Sequence, residues 1–330
     1  MKIKPMTKFA ILALSLVLVA CAGGGSEEAG CPAIDGREIN VVATTPMIGE
    51  FVSQVGGENI NLTVLMPPEA NPHTYEPAPQ DAGTIAEADL VFYTGLLYEP
   101  AALVKLLENS ACSTDILSEV GESVFPIEFK EGGHDDHDDH DDEEGHDDHE
   151  GHNHGAYDPH FWFDPSRVAY AAEYIESRLI QFDPENESSY TSSADSFVSE
   201  LNDLTKQVSE LISTVPSQNR KLITTHESLG YLEAKFGLEV LSTIIPSLNS
   251  ANEISPSDLA GVIDVIEDNN VKVIFIESEA PSVYSETIVA ETGIKPVTGL
   301  YVETLKPGQS YSEFLISNVK LITENLQDTD

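Results

Sequence analysis

Ten histidines are the residues of this chain best suited to bind a metal ion, and they fall into two groups. Three stand apart from one another, in "EANPHTYEP" (His73), "YDPHFWFDP" (His160) and "TTHESLGY" (His226). Neutral imidazole is a good ligand for zinc, copper, iron and nickel, so both groups predict metal chemistry. The other seven lie in one short acidic tract, residues 132–155: His134, His137, His140, His146, His149, His152 and His154.

The acidic tract predicts many weak metal sites rather than one rigid site. Twelve carboxylates lie between Glu131 and Glu150 with no Lys or Arg among them, and no apolar residue interrupts the tract. Such a loop, residues 131–155, is expected to be disordered without metal, and ordering it around an ion costs conformational entropy. We therefore expect weak, multiple and pH-sensitive binding there. A solvated acidic linker without a metal role is the alternative.

The three isolated histidines occupy loops that are bounded by proline or that follow a predicted strand. Pro72 and Pro159 immediately precede His73 and His160, and proline restricts both its own backbone and that of its neighbour. Ligands of open α/β sheets bind beyond the carboxyl ends of the strands. A cleft between two lobes is therefore expected to bring the three side chains together, although a single loop histidine is more often a surface residue.

The elements that must position these side chains alternate between strand and helix, which predicts parallel-type sheets in an α/β fold. An N-terminal lobe is expected over residues 37–184 and a C-terminal lobe over 216–330, with the metal site in the cleft between them. Residues 185–215 between the lobes predict one long linking helix, because their apolar positions alternate in steps of four and three. Those positions are Tyr190, Ala194, Phe197, Leu201, Leu204, Val208 and Leu211.

The N-terminus predicts export and a lipid anchor. Three lysines precede an apolar segment, residues 9–20, that is too short to span a bilayer, so residues 1–20 are interpreted as a removable signal peptide. Its end, "LVAC", resembles a lipobox, which predicts lipidation of Cys21 and a flexible tether over 21–36. The mature protein is expected outside the cytoplasm, anchored to the cell membrane on its periplasmic side or at the cell surface. An ordinary secretory signal with a chance cysteine is the alternative.

Charge and cysteine content narrow the range of partners. The formal net charge of −41 disfavours nucleic acid, which proteins bind through Lys and Arg, and it tolerates cations. Cys31 and Cys112 would sit in an oxidising compartment, where a disulfide and two free thiols both remain open.

Four motifs, in order, resemble the zinc- and manganese-specific solute-binding lipoproteins of bacterial metal ABC transporters. They are "NPHTYEPAPQD", "DPHFWFDP", "TTHESLGYLEAKFGL" and "IFIESEAPS". The resemblance implies a monomeric carrier without catalytic activity that captures Zn²⁺ and delivers it to a membrane permease. It implies His73, His160 and His226 as ligands in the cleft, and a histidine-rich insert of the kind that zinc members carry.

The fourth ligand of the family is commonly an aspartate near the C-terminus, where this chain offers Glu303 in "GLYVETLKPGQSY". A longer carboxylate can bind differently or yield to water, so the fourth ligand stays open at this point. His226 favours zinc over Mn²⁺, since manganese-type members often carry glutamate there.

Three other functions remain as alternatives: a manganese carrier, a secreted zinc hydrolase, and a surface adhesin or zinc buffer. A hydrolase needs an open metal position for water, and the chain has no H-E-x-x-H motif. Glu227 is expected to cap or to face solvent, and Glu277 and Glu279 to hydrogen-bond to neighbouring loops.

Overall fold

Each of two lobes is built around a four-stranded sheet in which all paired strands run parallel. The computed structural model describes residues 31, 33–34, 36–129, 157–279 and 283–327. The signal peptide, Cys21 and the histidines of the acidic tract lie outside the described residues. The α/β fold class with two lobes, predicted from the sequence, is confirmed.

The N-terminal lobe combines four strands with four helices. The strands are β1 (Ile39–Ala43), β2 (Ile60–Val64), β3 (Leu90–Tyr93) and β4 (Leu117–Glu119). The helices are α1 (Pro46–Gly56), α2 (Pro79–Ala86), α3 (Ala101–Ser110) and α4 (Pro165–Phe182). Helix α4 begins as the sequence predicts, because the Asp164 side chain accepts a hydrogen bond from the Ser166 backbone N–H and Pro165 occupies the first turn.

The C-terminal lobe repeats this composition after a long helix, α5 (Glu187–Ser213). Its strands are β5 (Lys221–His226), β6 (Glu239–Ile245), β7 (Val273–Glu277) and β8 (Lys295–Leu300). Its helices are α6 (Gly230–Phe236), α7 (Pro256–Asp268), α8 (Val283–Thr292) and α9 (Tyr311–Gln327). The strand orders are β2-β1-β3-β4 and β6-β5-β7-β8, so the two sheets share one topology. No residue-by-residue repeat is visible in the sequence.

Helix α5 packs against both lobes along its length. Its 27 residues span about 40 Å at ~1.5 Å per residue, and it contacts α1 and α4 of the N-terminal lobe and α9 of the C-terminal lobe. Its buried stripe matches the predicted one except at the C-terminal end, where Ile212 is buried and Leu211 is only partly so. The last step along the stripe is therefore four residues rather than three.

One apolar core runs through both lobes. It joins Phe51 of α1, Leu201 of α5, Phe275 of β7 and Phe314 of α9 in a single cluster of buried side chains. Separating the lobes widely would expose this cluster to water, which is unfavourable in proportion to the apolar area exposed. The packing therefore favours small local movements over a wide hinge opening.

The sulfurs of Cys31 and Cys112 form a disulfide, with the two Cα atoms 5.0 Å apart. The bond ties the segment before β1 to the residues between α3 and β4. Cys112 precedes β4 and therefore lies toward the amino end of that strand, whereas His226 is the last residue of β5. Among the described residues, no helix is long and apolar enough to cross a membrane.

We predict that this disulfide stabilises the fold without contributing to metal binding. It closes a loop of 81 residues, so its removal is expected to cost about 2–5 kcal/mol, chiefly by freeing the unfolded chain. Calorimetry should show the Cys31→Ser/Cys112→Ser double variant melting several degrees lower, with unchanged zinc affinity. Equal melting temperatures for the double variant and the oxidised wild type would contradict the assignment.

Candidate metal centre

Four side chains converge between the lobes: His73, His160, His226 and Glu303. One ligand atom from each lies within 4.8 Å of every other, and among the described residues this is the group suited to hold a metal ion. The side chains of His160, His226 and Glu303 are fully buried and that of His73 is 2% exposed. The structure thus brings together all four residues that the sequence and the family resemblance single out.

The Glu303 carboxylate occupies the centre of the group. Its Oε1 lies 3.0 Å from His73 Nε2 and 2.9 Å from His226 Nε2, and its Oε2 lies 3.5 Å from His160 Nε2. All three histidines therefore present Nε2 to one small space. A single metal ion in this space would be bound by one donor atom from each of the four side chains.

Each of the three histidines is positioned by a different local structure. His226 is the last residue of β5, and His160 immediately precedes a 3₁₀ turn, Phe161–Phe163. His73 lies inside another 3₁₀ turn, Pro72–Thr74, whose start is capped by Asn71: the His73 backbone N–H donates to Asn71 Oδ1 at 2.9 Å. Backbone geometry fixes these three positions without help from an ion.

Two carboxylates behind the centre orient two of the rings. His160 Nδ1 donates to Asp158 Oδ1 at 2.7 Å, and His226 Nδ1 donates to Glu277 Oε2 at 2.5 Å. Glu277 also accepts from Thr224 Oγ1 at 2.9 Å. Because the Nδ1 hydrogen is bonded to a carboxylate in each case, Nε2 is the ring nitrogen that faces the centre and would bind an ion once it is deprotonated, an arrangement typical of metal-ligating histidines.

Sequence reasoning did not assign these two supporting carboxylates. Glu277 is expected from the sequence to bond to neighbouring loops, and its Oε2 instead bonds to the ring of His226. Asp158 was given no role, although its position two residues before His160 lets it accept from both the backbone N–H and the ring of that histidine. An Asp-Pro-His sequence is the signal that would have found it.

The imidazole Nε2 atoms of His160 and His226 are buried and have no hydrogen-bond partner of good geometry among the described residues. They lie near Glu303, but closeness without alignment does not make a hydrogen bond. Buried polar atoms are normally paired, so two ring nitrogens that face one space without a well-aligned partner require an explanation. A bound cation provides one.

Electrostatics in the metal-free centre are dominated by the carboxylates. Burial alone lowers the pKa of His160, but the charges of Glu303 and Asp158 outweigh it and raise that pKa to about 9. Burial likewise opposes a raised pKa at His226, which the charges of Glu277 and Glu303 bring well above its ordinary value. Burial favours the neutral form of Glu303, but the three histidines together hold its pKa well below the ordinary range.

The loop that carries Glu303 is held by Glu279. Glu279 Oε1 accepts from three successive backbone N–H groups, those of Val302, Glu303 and Thr304, at 3.0, 3.1 and 3.4 Å. Burial, together with the charge of Glu303, raises the pKa of Glu279 to about 8. The expectation that Glu279 bonds to a neighbouring loop is confirmed, and that loop is the one that positions the candidate fourth ligand.

Aromatic residues of the N-terminal lobe also reach this loop. Trp162 Nε1 donates to the Val302 carbonyl at 2.8 Å, and the Tyr98 hydroxyl donates to Glu303 Oε2 at 2.9 Å. Beside Tyr98 and His73 a cavity of about 600 Å³ opens, lined also by Leu97 and Asn249. Of the four converging side chains, His73 is the one that lines this cavity.

Glu227 lies outside the group of four. It is partly buried rather than solvent-facing, and its Oε1 accepts from Thr243 Oγ1 at 3.1 Å. Burial raises its pKa. It thus supports the adjacent strand and does not face the centre as a catalytic base would.

Comparison with known proteins agrees with this geometry. The family described as zinc-uptake complex component A, periplasmic, matches residues 41–325. The high-affinity zinc uptake system protein ZnuA of Bacillus subtilis is 29% identical over 328 residues, which cover 96% of each chain. The manganese ABC transporter substrate-binding lipoprotein PsaA of Streptococcus anginosus is 27% identical over 333 residues, covering 98% of this chain and 99% of that one.

The fold is shared with a solved structure, the periplasmic zinc-binding protein TroA of Treponema pallidum. The TM-score is 0.74 at 22% identity, and the match covers 88% of this chain and 99% of that chain. The relatives are thus named for zinc in some cases and manganese in others. Since the family match extends over most of the chain, this protein belongs to the zinc-uptake complex component A family, the metal-binding, substrate-binding proteins of ABC transporters.

Proposed function

We propose that this protein captures Zn²⁺ between its lobes, using His73, His160, His226 and Glu303, and delivers it to an ABC permease. The observation that carries the proposal is the pair of buried, unpaired Nε2 atoms of His160 and His226. Each belongs to a ring whose Nδ1 hydrogen is fixed by a carboxylate. This is how a protein prepares an imidazole to bind a metal before the metal arrives.

The donor set supports zinc rather than manganese as the cargo. Three imidazole nitrogens and one carboxylate oxygen make a four-coordinate N₃O site, and zinc binds such sets tetrahedrally. Manganese prefers oxygen ligands and stands below zinc in affinity for divalent first-row sites. A carrier of manganese would gain little from three nitrogens.

The same donor set argues against a zinc hydrolase. Catalytic zinc usually has three protein ligands and an open position for water, whereas Glu303 supplies a fourth ligand at this centre. The family relatives are named as transport and binding proteins. Capture and transfer therefore fit the site better than catalysis.

Release of the ion is proposed to depend on local movement at the lobe boundary. The turn that carries His73 is tied to the other lobe by Asn71, whose Nδ2 donates to Ser250 Oγ at 3.0 Å and to the Glu279 carbonyl at 3.5 Å. These bonds are few and only partly buried, so they break more readily than the shared apolar core. Contact with the permease would loosen this turn.

Two further proposals concern segments outside the described residues. Cys21 is proposed to carry a lipid that anchors the chain outside the cytoplasmic membrane. The histidines of the acidic tract are proposed to hold zinc weakly near the cleft and to pass it inward. Both proposals rest on the sequence, and the lipid anchor agrees with relatives that are named lipoproteins.

Substitution of the ligands tests the central proposal. In a chain lacking residues 132–155, His73→Ala, His160→Ala and His226→Ala should each weaken the tight zinc equivalent at least about tenfold, because three donors replace four. Glu303→Ala should cost less, since water can take the fourth position. Titration calorimetry with a competing chelator measures each affinity.

A matched control for the lost carboxylate is Glu239→Ala, which removes an exposed acid that pairs with the first residue of β5, at the opposite end of that strand from His226. It should leave zinc affinity unchanged. Tight binding retained in all three histidine variants would mean that the ion binds elsewhere.

Zinc binding should release protons and weaken as pH falls. The raised pKa values of His160 and His226 keep both rings protonated near neutral pH in the metal-free protein, and a metal binds only the neutral ring. Between about pH 8 and pH 6 the apparent affinity should fall about tenfold per pH unit for each proton displaced. Calorimetry in two buffers of different ionisation enthalpy counts these protons; a count of zero would refute the protonated metal-free centre.

Deletion of residues 132–155 should remove several weak zinc equivalents and spare the tight one. The reason is that histidines closely spaced along an acidic sequence compete with one another for the same ion, and ordering chain around each ion costs conformational entropy. A direct comparison of full and deleted chains by calorimetry gives the stoichiometry of each class. Loss of the tight equivalent on deletion would make the tract the main site and defeat the proposed centre.

A further inference from the structure

The two oxygens of the Glu303 carboxylate have different surroundings. Oε1 lies 3.0 Å from His73 Nε2 and 2.9 Å from His226 Nε2. Oε2 lies 3.5 Å from His160 Nε2 and accepts a hydrogen bond from the Tyr98 hydroxyl at 2.9 Å. One oxygen thus faces two metal-ligand atoms, and the other is engaged by a phenol.

Tyr98 is firmly placed for this contact. Its side chain is buried, and its hydroxyl also lies 3.0 Å from the Glu303 backbone carbonyl oxygen. Its ring packs edge-on against His73 and Trp162, with centroids 5.1 and 5.3 Å apart. A buried hydroxyl without an acceptor is unfavourable, and both acceptors within reach of Tyr98, the carbonyl and Oε2, belong to Glu303.

We propose that Tyr98 is a specificity-determining residue, whose hydroxyl occupies Oε2 of Glu303 and limits the carboxylate to a single metal bond. The inference rests on the proposed function. With one carboxylate oxygen and three imidazoles the ion is four-coordinate, which suits zinc. Manganese is bound best by more oxygen ligands at a higher coordination number, and Glu303 would supply a second oxygen ligand if both of its carboxylate oxygens bound the ion. The hydrogen bond from Tyr98 keeps Oε2 from serving as that second ligand.

The positioning of Glu303 by its backbone complements this role. Three backbone N–H groups of the loop donate hydrogen bonds to Glu279 and hold its main chain. Tyr98 donates to the side-chain carboxylate of Glu303. Removal of the Tyr98 hydroxyl frees one carboxylate oxygen and also removes the contact with the Glu303 carbonyl. The bonds of the loop to Glu279 and Trp162 remain and are expected to keep it in place. The change expected is in coordination number rather than in the fold.

The test is Tyr98→Phe in the full exported chain, which keeps the ring packing and deletes the donor. The matched control is Tyr93→Phe: Tyr93 lies at the end of β3, and its hydroxyl bonds to Glu119 Oε2 at 3.2 Å, outside the centre. Each protein is loaded with half an equivalent of Co²⁺, so that the tight site fills before the acidic tract. Its absorption spectrum then reports the coordination number, and competition titrations give the zinc-to-manganese affinity ratio.

The wild type and Tyr93→Phe are expected to show the intense visible absorption of four-coordinate cobalt. Tyr98→Phe should show the weaker absorption of five-coordinate cobalt, and its zinc-to-manganese ratio should fall at least about tenfold, in line with losses at residues that support metal ligands. Melting temperatures and the far-ultraviolet dichroism of the three proteins check that the fold is retained.

Three results would overturn the inference. A five- or six-coordinate spectrum for the wild type contradicts it without reference to any variant. An unchanged spectrum in Tyr98→Phe, or an equal loss of zinc and manganese affinity, would show that Tyr98 supports the structure of the site and does not determine its metal specificity. A wild type without any tight metal equivalent would instead refute the proposed function itself, and the two failures are thereby distinguished.

Discussion

The negative charge of Glu303, buried where the two lobes meet, is the constraint on which the rest of the centre depends. A carboxylate removed from water is strongly unfavourable unless cations or hydrogen-bond donors surround it. In the metal-free protein three imidazoles and a phenol serve this purpose, and a bound cation would serve it better. We therefore propose that a divalent ion replaces protons at this centre, so that its affinity for metal is coupled to the charge state of these side chains.

Rigidity around this charge comes from both lobes. The N-terminal lobe supplies His73, Tyr98 and Trp162, and the C-terminal lobe supplies Glu279 and the loop that it holds. A core shared between the lobes and backed by α5 limits how far they separate. The turn around His73 is tied to the other lobe by the two bonds of Asn71, and we propose that a buried ion leaves by local movement of this turn rather than by general unfolding.

Much of the architecture could be predicted from the sequence, because strand and helix periodicities are local. The strands, α4 and the stripe of α5 follow from apolar spacing and caps, and His226 was placed at a strand end by the same reasoning. The shared topology of the two sheets was missed, since it leaves no alignable repeat. Which carboxylates stand behind the histidines was also missed, because contacts such as that of Glu277 with His226 join residues 51 positions apart.

The most direct test of the central claim is the location of the ion itself. A crystal of the protein grown with one equivalent of zinc, with data collected on both sides of the zinc absorption edge, locates it by anomalous scattering. We expect one strong peak bonded at about 2.0–2.1 Å to Nε2 of His73, His160 and His226 and to one oxygen of Glu303. A peak elsewhere, or an ion at this position with Glu303 turned away from it, would show that these four side chains do not form the zinc site.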